Sequence, residues 1–266
     1  MAAPTTSVTR DLTSDATGHR YLFTELSLPA GSTTPFRRHD DDLRTHIVIG
    51  GSVAVESVGA DGAVTATVHR AFTGWHAPPG SVYRLANRGE EQALVIEAGT
   101  RAGSLREGDT HTALLSTGAP APACRDADGY TVDKPWGHEV WYTANLDDPP
   151  YAVKQIHMVA GHQSSLQSHR FKAETNYVVE GEAKVLNGLR APEDLSAIID
   201  VAGIPVTLHG PRTGWSSPPN VLHRVIAQRT YTSIEVSTSE LDDVIRWQDD
   251  TGRGHGRVEG EHRGSR

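Results

Sequence analysis

Two short segments hold the side chains in this chain that can do chemistry. Gln167-Ser168-His169 is followed by Glu174 and Gly181, and Pro218-Pro219-Asn220-Val221-Leu222-His223 comes later. Gln167 and His169 stand two apart, so on a strand they share a face. Glu174 comes five residues after His169. On a straight strand it would face away, so the chain must bend or bulge to bring it round. His223 follows a Pro-Pro-Asn turn and belongs to a separate segment. Two imidazoles, a carboxylate and an amide oxygen suit one divalent metal of borderline hardness, zinc first, with manganese, iron or nickel also compatible. The plainer alternative makes His169 and His223 ordinary hydrogen-bonded histidines of a β core.

An ion held by neutral imidazoles and one carboxylate keeps residual positive charge. It polarises a carbonyl or holds an enediolate, which eases removal of the proton on the adjacent carbon. A base must then lie within hydrogen-bond reach of that carbon. Lys154, His157 and Glu235, each in a strand-like run, are the candidate catalytic residues. Arg224 beside His223 and Lys172 beside Glu174 are candidate anion anchors, with Tyr177 as a further substrate-binding candidate. Lys134 and Glu139 read equally well as a surface pair bracketing a buried Trp136.

The elements that must position these residues read as short strands. His46–Ile49, Ala93–Ile96, Ala152–Val153, Asn176–Val179 and Thr232–Val236 are β-branched or apolar runs between Gly, Pro and Asp clusters, as in a β-barrel or jelly roll. The 26 glycines and 15 prolines favour turns over long helices. The chain also repeats itself. Thr73-Gly74-Trp75-His76-Ala77-Pro78-Pro79-Gly80 returns as Thr213-Gly214-Trp215-Ser216-Ser217-Pro218-Pro219-Asn220, and Gly31, His39 and Gly51 align with Gly161, His169 and Gly181. The offset grows from 130 to 140, which places an insertion within 187–205 and a possible short helix over 193–199. A repeat this long is a duplicated domain. The expected layout is an N-terminal domain over 1–115, a Pro/Ala-rich linker over 116–129, a metal-binding domain over 130–253 and a disordered Gly/Arg/His-rich tail over 254–266. His255 and His262 in that tail are expected to be solvated.

The spacing of the two segments resembles the cupin family. Gly161, Gln167-x-His169, Glu174 and Gly181 follow its first motif with Gln in place of the leading His; Pro218-x-Asn220-x-x-His223 follows its second with Asn in place of Gly. The resemblance implies an all-β chain of two tandem jelly-roll barrels, with Gln167, His169, Glu174 and His223 as the ligand set. Carried to the first half, the same positions hold Arg37, His39, Arg44 and Tyr83. Two guanidiniums repel a cation, so this barrel is expected to be metal-free, serving the fold or holding a carboxylate or phosphate.

Further segments narrow the likeness. Lys134-Pro135-Trp136-Gly137-His138-Glu139, Ser165-Leu166-Gln167-Ser168-His169, Pro218-Pro219-Asn220-x-x-His223 and Asp243-Val244-Ile245-Arg246 with Asp250-Thr251-Gly252-Arg253 are similar to the type II phosphomannose isomerase cupin. That resemblance implies a metal-dependent aldose–ketose isomerase of sugar phosphates. Lys172, Asn176 and Thr251 stand where that family has Arg, Trp and Tyr, which bears on the substrate more than on the metal. An iron or manganese dioxygenase and a non-catalytic sugar-binding cupin are the competing readings. Cupins often pair through their sheets, so the resemblance implies a homodimer.

Composition narrows the partners. The formal net charge of −8 speaks against nucleic acid. No run approaches the ~18 apolar residues of a membrane span, and residues 1–10 carry no apolar leader. The single cysteine, Cys124, leaves no disulfide framework and points to a reducing cytoplasm.

Overall fold

The computed structural model describes residues 7–13, 20–100, 104–115 and 121–262. The chain divides into two compact units, the first ending at Asp128 and the second running from Gly129. Antiparallel strands dominate both.

The first unit holds β1 (Val8–Asp11), β2 (Tyr21–Leu28), β3 (Phe36–His39), β4 (Arg44–Gly50), β5 (Ser52–Val58), β6 (Val64–Arg70), β7 (Gly74–Ala77), β8 (Val82–Ala86), β9 (Ala93–Thr100), β10 (Leu105–Gly108) and β11 (Arg125–Asp126). They form one sheet ordered β1-β2-β9-β4-β7-β11 and another ordered β10-β3-β8-β5-β6. Alternating side chains from both sheets, among them Leu26, Val48, Val55, Trp75, Leu85 and Val95, meet in one buried core. Residues 116–120 of the expected linker lie outside the described residues. The rest of it is built into this unit: Ala121 packs with Phe36 and Val82, and β11 pairs with β7. Ala121 and Ala127 are its buried apolar groups among the described residues. Burial pushes the Cys124 thiol up to about 12, which leaves it an inert spectator.

The second unit holds β12 (Tyr130–Lys134), β13 (Gly137–Trp141), β14 (Ala152–Met158), β15 (Leu166–Ser168), β16 (Glu174–Arg190), β17 (Val206–His209), β18 (Gly214–Ser217), β19 (Val221–Ser237), β20 (Ile245–Gln248) and a single helical turn, α1 (Glu259–His262). β16 and β19 are 17 residues each and pair along almost their whole length, with register shifts near Val178, Glu180 and Glu182. Those bulges bend each strand so that its two ends serve different walls of the barrel. Gly181 sits at the bend with φ of 80°, a conformation L side chains avoid. Trp136, Ile156, Met158, Val178, Val185, Trp215 and Tyr231 fill the interior behind it.

Two expectations for this unit are corrected. Residues 193–199 form a loop with turns, and the helical piece is a three-residue 3-10 turn at Val201–Gly203, where the Asp200 carboxylate caps Ala202 N–H. Residues 254–262 pack rather than trail: Glu261 pairs with Lys134 at 2.7 Å and with Arg253 at 3.3 Å, and His255 accepts a hydrogen bond from Arg246 N–H. Polar anchors hold this segment where its composition offers no apolar ones; residues 263–266 lie outside the described residues.

Candidate functional site

Strand β15 ends at Ser168, and residues 169–173 form the loop that brings Glu174 round onto the same side as His169. Asp243 shapes that loop. Its carboxylate accepts the backbone N–H groups of Arg170, Phe171 and Lys172 at 3.0, 2.6 and 3.0 Å, and its carbonyl takes the Nδ1–H of His169. β19 supplies His223 opposite Gln167. Among the described residues His169, Glu174 and His223 form the one group of three possible metal-ligating side chains whose donor atoms lie within 4.8 Å of one another. Glu174 bridges the imidazoles, with Oε2 3.5 Å from His169 Nε2 and Oε1 3.2 Å from His223 Nε2.

The tautomers follow from the outer contacts. His169 Nδ1 donates to the Asp243 carbonyl and His223 Nδ1 to the Val221 carbonyl at 3.1 Å. Each ring therefore turns its Nε2 toward the shared centre. His169 Nε2 is buried with no hydrogen-bond partner. Burial, with help from the Lys172 ammonium, holds this imidazole below the usual histidine range. Lys172 and His223 hold the Glu174 carboxyl far below its ordinary value against the opposing effect of burial. Two imidazoles and one ionised carboxylate, with the His169 nitrogen an orphan, are a donor set that fits a divalent metal. Gln167 lies beside them, but its amide nitrogen faces His223 Nε2 at 3.2 Å while its oxygen accepts from Ser165. In this orientation it steadies His223; a half-turn of the amide brings the oxygen to the centre.

The barrel topology agrees with known structures. No protein-family model and no curated protein matches the chain. Among solved structures, the Bacillus subtilis oxalate decarboxylase, a protein with Mn(II) centres, superposes with a TM-score of 0.64 at 11% identity, over 90% of this chain and 74% of that one. The Lactobacillus farciminis oxalate decarboxylase in its formate complex gives 0.63 at 12% identity, over 90% and 83%. A mutant of the salicylate 1,2-dioxygenase from Pseudoaminobacter salicylatoxidans gives 0.59 at 13%, over 87% and 76%. The chain has the cupin fold.

The cupin cavity of the second unit encloses about 110 Å³ and reaches from the histidines to the C-terminal segment. Strand parity decides which candidates enter it. On β14, Lys154, Ile156 and Met158 line the cavity. His157 therefore faces the other way, half-buried, with its ring stacked on His138 at 4.9 Å and its Nδ1 on Thr232 at 3.1 Å; it is no candidate base. Arg224, one residue past His223, also faces away and donates to the Gln248 carbonyl at 3.1 Å. Tyr177, one past Asn176, is fully buried outside the cavity lining. Neither serves as a substrate contact.

Lys154, Glu235 and Lys172 meet inside the cavity. Glu235 Oε1 lies 3.0 Å from both ammoniums, and Lys172 also lies 2.6 Å from Glu174 Oε2. Lys172 is thus saturated by two carboxylates and is no free anion anchor. Burial opposes charge on Lys154, but Glu139 and Glu235 outweigh it and hold the lysine above its ordinary value, so it is a proton donor rather than a base. Lys134 and Glu139 are an interior pair 3.5 Å apart, not a surface one. Lys154 and Lys134 bring the Glu139 carboxyl down to about 2 in spite of its burial.

Several lining residues were not assigned to the site from the sequence. Arg246 and His262 face the cavity, and His262 packs edge-on against Trp141 at 5.3 Å. Asp243 opens the Asp-Val-Ile-Arg motif of the sequence, but its role in holding the 169–173 loop exists only once the chain is folded. Six Lys or Arg and three Glu line the cavity, and Asp249 and Glu261 pair with Arg253 and Lys134 from outside the lining, so one cation is left in excess. A walled pocket with that excess concentrates anions.

The same barrel positions in the first unit carry inverted charge. Arg37 and Arg44 close on Glu97 at 3.4 and 3.3 Å, His46 lies 3.4 Å from it, and Asp42 pairs with Arg44 at 2.7 Å. The Asp42–Arg44 pair stands where the second unit has Lys172–Glu174. The anion that the two guanidiniums hold here is the protein's own Glu97.

Proposed function

We propose that the second unit is the reactive half of a metal-dependent cupin enzyme that shifts a proton on the carbon beside a carbonyl of a small anionic metabolite, as an isomerase or epimerase does. The observation that carries this reading is the buried Lys172–Glu235–Lys154 array sharing one cavity with His169, Glu174 and His223. Those last three residues would hold the ion. Bound there, a divalent ion supplies Lewis acidity toward a substrate oxygen. Glu235 is placed to accept a proton and Lys154, kept charged, to give one back. Lys172 fixes the positions of both carboxylates. Trp136 and Trp141, buried at 6% exposure each, wall the cavity and limit water near the reacting carbon. The positive excess supports an anionic substrate. The void is smaller than the ~150 Å³ cavity that takes a benzene, which supports a short substrate over a hexose phosphate; the sugar-phosphate assignment rests on the sequence motifs alone.

A second reading is an iron dioxygenase. Two histidines and one carboxylate form the three-ligand set that leaves positions open for oxygen, and the fold is shared with a salicylate 1,2-dioxygenase.

The test combines elemental analysis with proton exchange. Purified protein should carry a divalent metal that His169→Ala and His223→Ala each largely lose and His39→Ala keeps. Incubation in D₂O with a panel of hydroxy acids, keto acids and sugar phosphates should show deuterium entering one carbon by NMR. Equal metal loss in all three variants removes the proposed centre. Oxygen consumption without solvent exchange transfers the conclusion to the dioxygenase reading.

A further inference from the structure

Six cationic side chains line the cavity, and their pairing is unequal. Lys134, Lys154 and Lys172 each have a carboxylate within 3.0 Å. Arg253 is clamped by Asp249 through Nε at 3.0 Å and Nη2 at 2.7 Å, with Nη1 on Glu261 at 3.3 Å. Arg257 is exposed and only grazes Glu259 at 3.9 Å. Arg246 is half-buried, and among the described residues no carboxylate forms an ion pair with it. Its Nη1 donates to the Gly254 and Gly256 carbonyls, the latter at 2.7 Å, and its Nε is buried without a partner.

The free side of this guanidinium has a definite shape. Nε–H and Nη2–H point the same way from one edge, the fork that receives two oxygens of a carboxylate or phosphate. The two carbonyls hold Nη1 and so fix the plane of the group. A buried donor without an acceptor is uncommon in folded proteins. Strand pairing gives its place: Arg246 on β20 stands directly opposite Gln167 on β15. Facing residues of an antiparallel pair project to the same side, with β-carbons ~5 Å apart. Gln167 in turn touches His223. Arg246 therefore borders the Gln167 side of the cavity, on the wall formed by the C-terminal segment.

We infer that Arg246 is the substrate's oxyanion anchor, binding two oxygens of a carboxylate or phosphate side-on through Nε and Nη2. The anchor would hold the anionic group while the neighbouring oxygenated carbon reaches the Glu174 cluster. The cavity's space of about 110 Å³ favours a small α-oxygenated carboxylic acid. The inference rests on the proposal that this cavity is the substrate site.

The test uses chelator-stripped protein, so that an ion cannot bind the probe. Glycolate and inorganic phosphate are titrated separately by calorimetry into the wild type, Arg246→Met, Arg246→Lys and the exposed-surface control Arg170→Met. Arg246→Met should weaken glycolate binding at least tenfold, the range expected for losing a charge-assisted bidentate contact. Arg246→Lys, which keeps the charge and loses the fork, should fall in between, and Arg170→Met should match the wild type. A stronger wild-type response to phosphate than to glycolate moves the substrate class to phosphate esters but keeps the anchor. Wild-type affinity in Arg246→Met, or no binding of either probe by the wild type, overturns the proposal. If Arg246→Met loses its dispersed amide spectrum, Arg246→Lys decides. Because no metal and no turnover enter the measurement, failure of the enzymatic reading leaves this result standing.

Discussion

Replacing Lys172 by Met tests the charge balance of the centre. The methionine keeps an unbranched chain one atom shorter and removes one ammonium. Lys172 Nζ lies 2.6 Å from Glu174 and 3.0 Å from Glu235, and the three side chains are 6%, 5% and 5% exposed. Lys154 still compensates Glu235 at 3.0 Å, but no other lysine or arginine pairs with Glu174 among the described residues. Removing one partner of a buried pair costs about 3–5 kcal/mol. For a unit of this size a kilocalorie corresponds to a few degrees in Tm, so the metal-free variant should melt about 10–20 °C lower. A divalent ion returns the missing charge. The rise in Tm on adding metal should therefore be larger in Lys172→Met than in the wild type. Tryptophan fluorescence reports it, because four of the five tryptophans, Trp136, Trp141, Trp215 and Trp247, lie in the second unit. Coincident wild-type and variant melts in chelator would refute the idea that Lys172 balances the centre, and equal metal-induced shifts would refute the compensation.

Three further outcomes are expected. Protons compete with metal for His169 Nε2, and burial already favours the neutral ring, so acidification should release metal only below pH ~6.5, the ordinary histidine value; an indicator-dye titration with its midpoint above that value contradicts the environment assigned to His169. Glu235→Gln preserves volume and removes the acceptor, and should cut turnover ~10²–10⁴-fold with metal content unchanged; activity within a few-fold of the wild type would take the base role from Glu235. Gly181→Ala forces a β-carbon into the Thr230 carbonyl at a left-handed φ and should cost about 2–4 kcal/mol in urea unfolding. Gly51→Ala, where the nearest atom is Gln92 O at 3.0 Å, should cost less; the reverse order would remove the argument from the β16 bend.

The metal candidates were readable because their signal is local. Histidine and glutamate at fixed spacings, flanked by a Pro-Pro-Asn turn, describe the ends of two strands, and the folded chain brings His169, Glu174 and His223 within 4.8 Å. The Lys154 and Glu235 candidates were also placed in the cavity, facing each other across β14 and β19. His157, Arg224 and Tyr177 were misplaced for one reason. Each stands at an odd offset from a cavity-facing residue, and strands buried on both faces give no polar–apolar alternation from which to read parity. The C-terminal segment was misread as disordered because its anchors are ion pairs to Lys134 and Arg253, which composition does not display.

From the sequence by itself followed the all-β class and the residues able to bind a metal, since each depends on short spacings and turn chemistry along the chain. Only the tertiary structure decided how they are oriented and charged. It oriented the two imidazoles through the Asp243 and Val221 carbonyls, placed two lysines on Glu235, inverted the centre of the first unit around Glu97 and left Arg246 without a carboxylate partner among the described residues. These properties belong to groups from distant segments packed a few ångströms apart. Electrostatic energy at that range depends on separation and burial, neither of which is written in residue order.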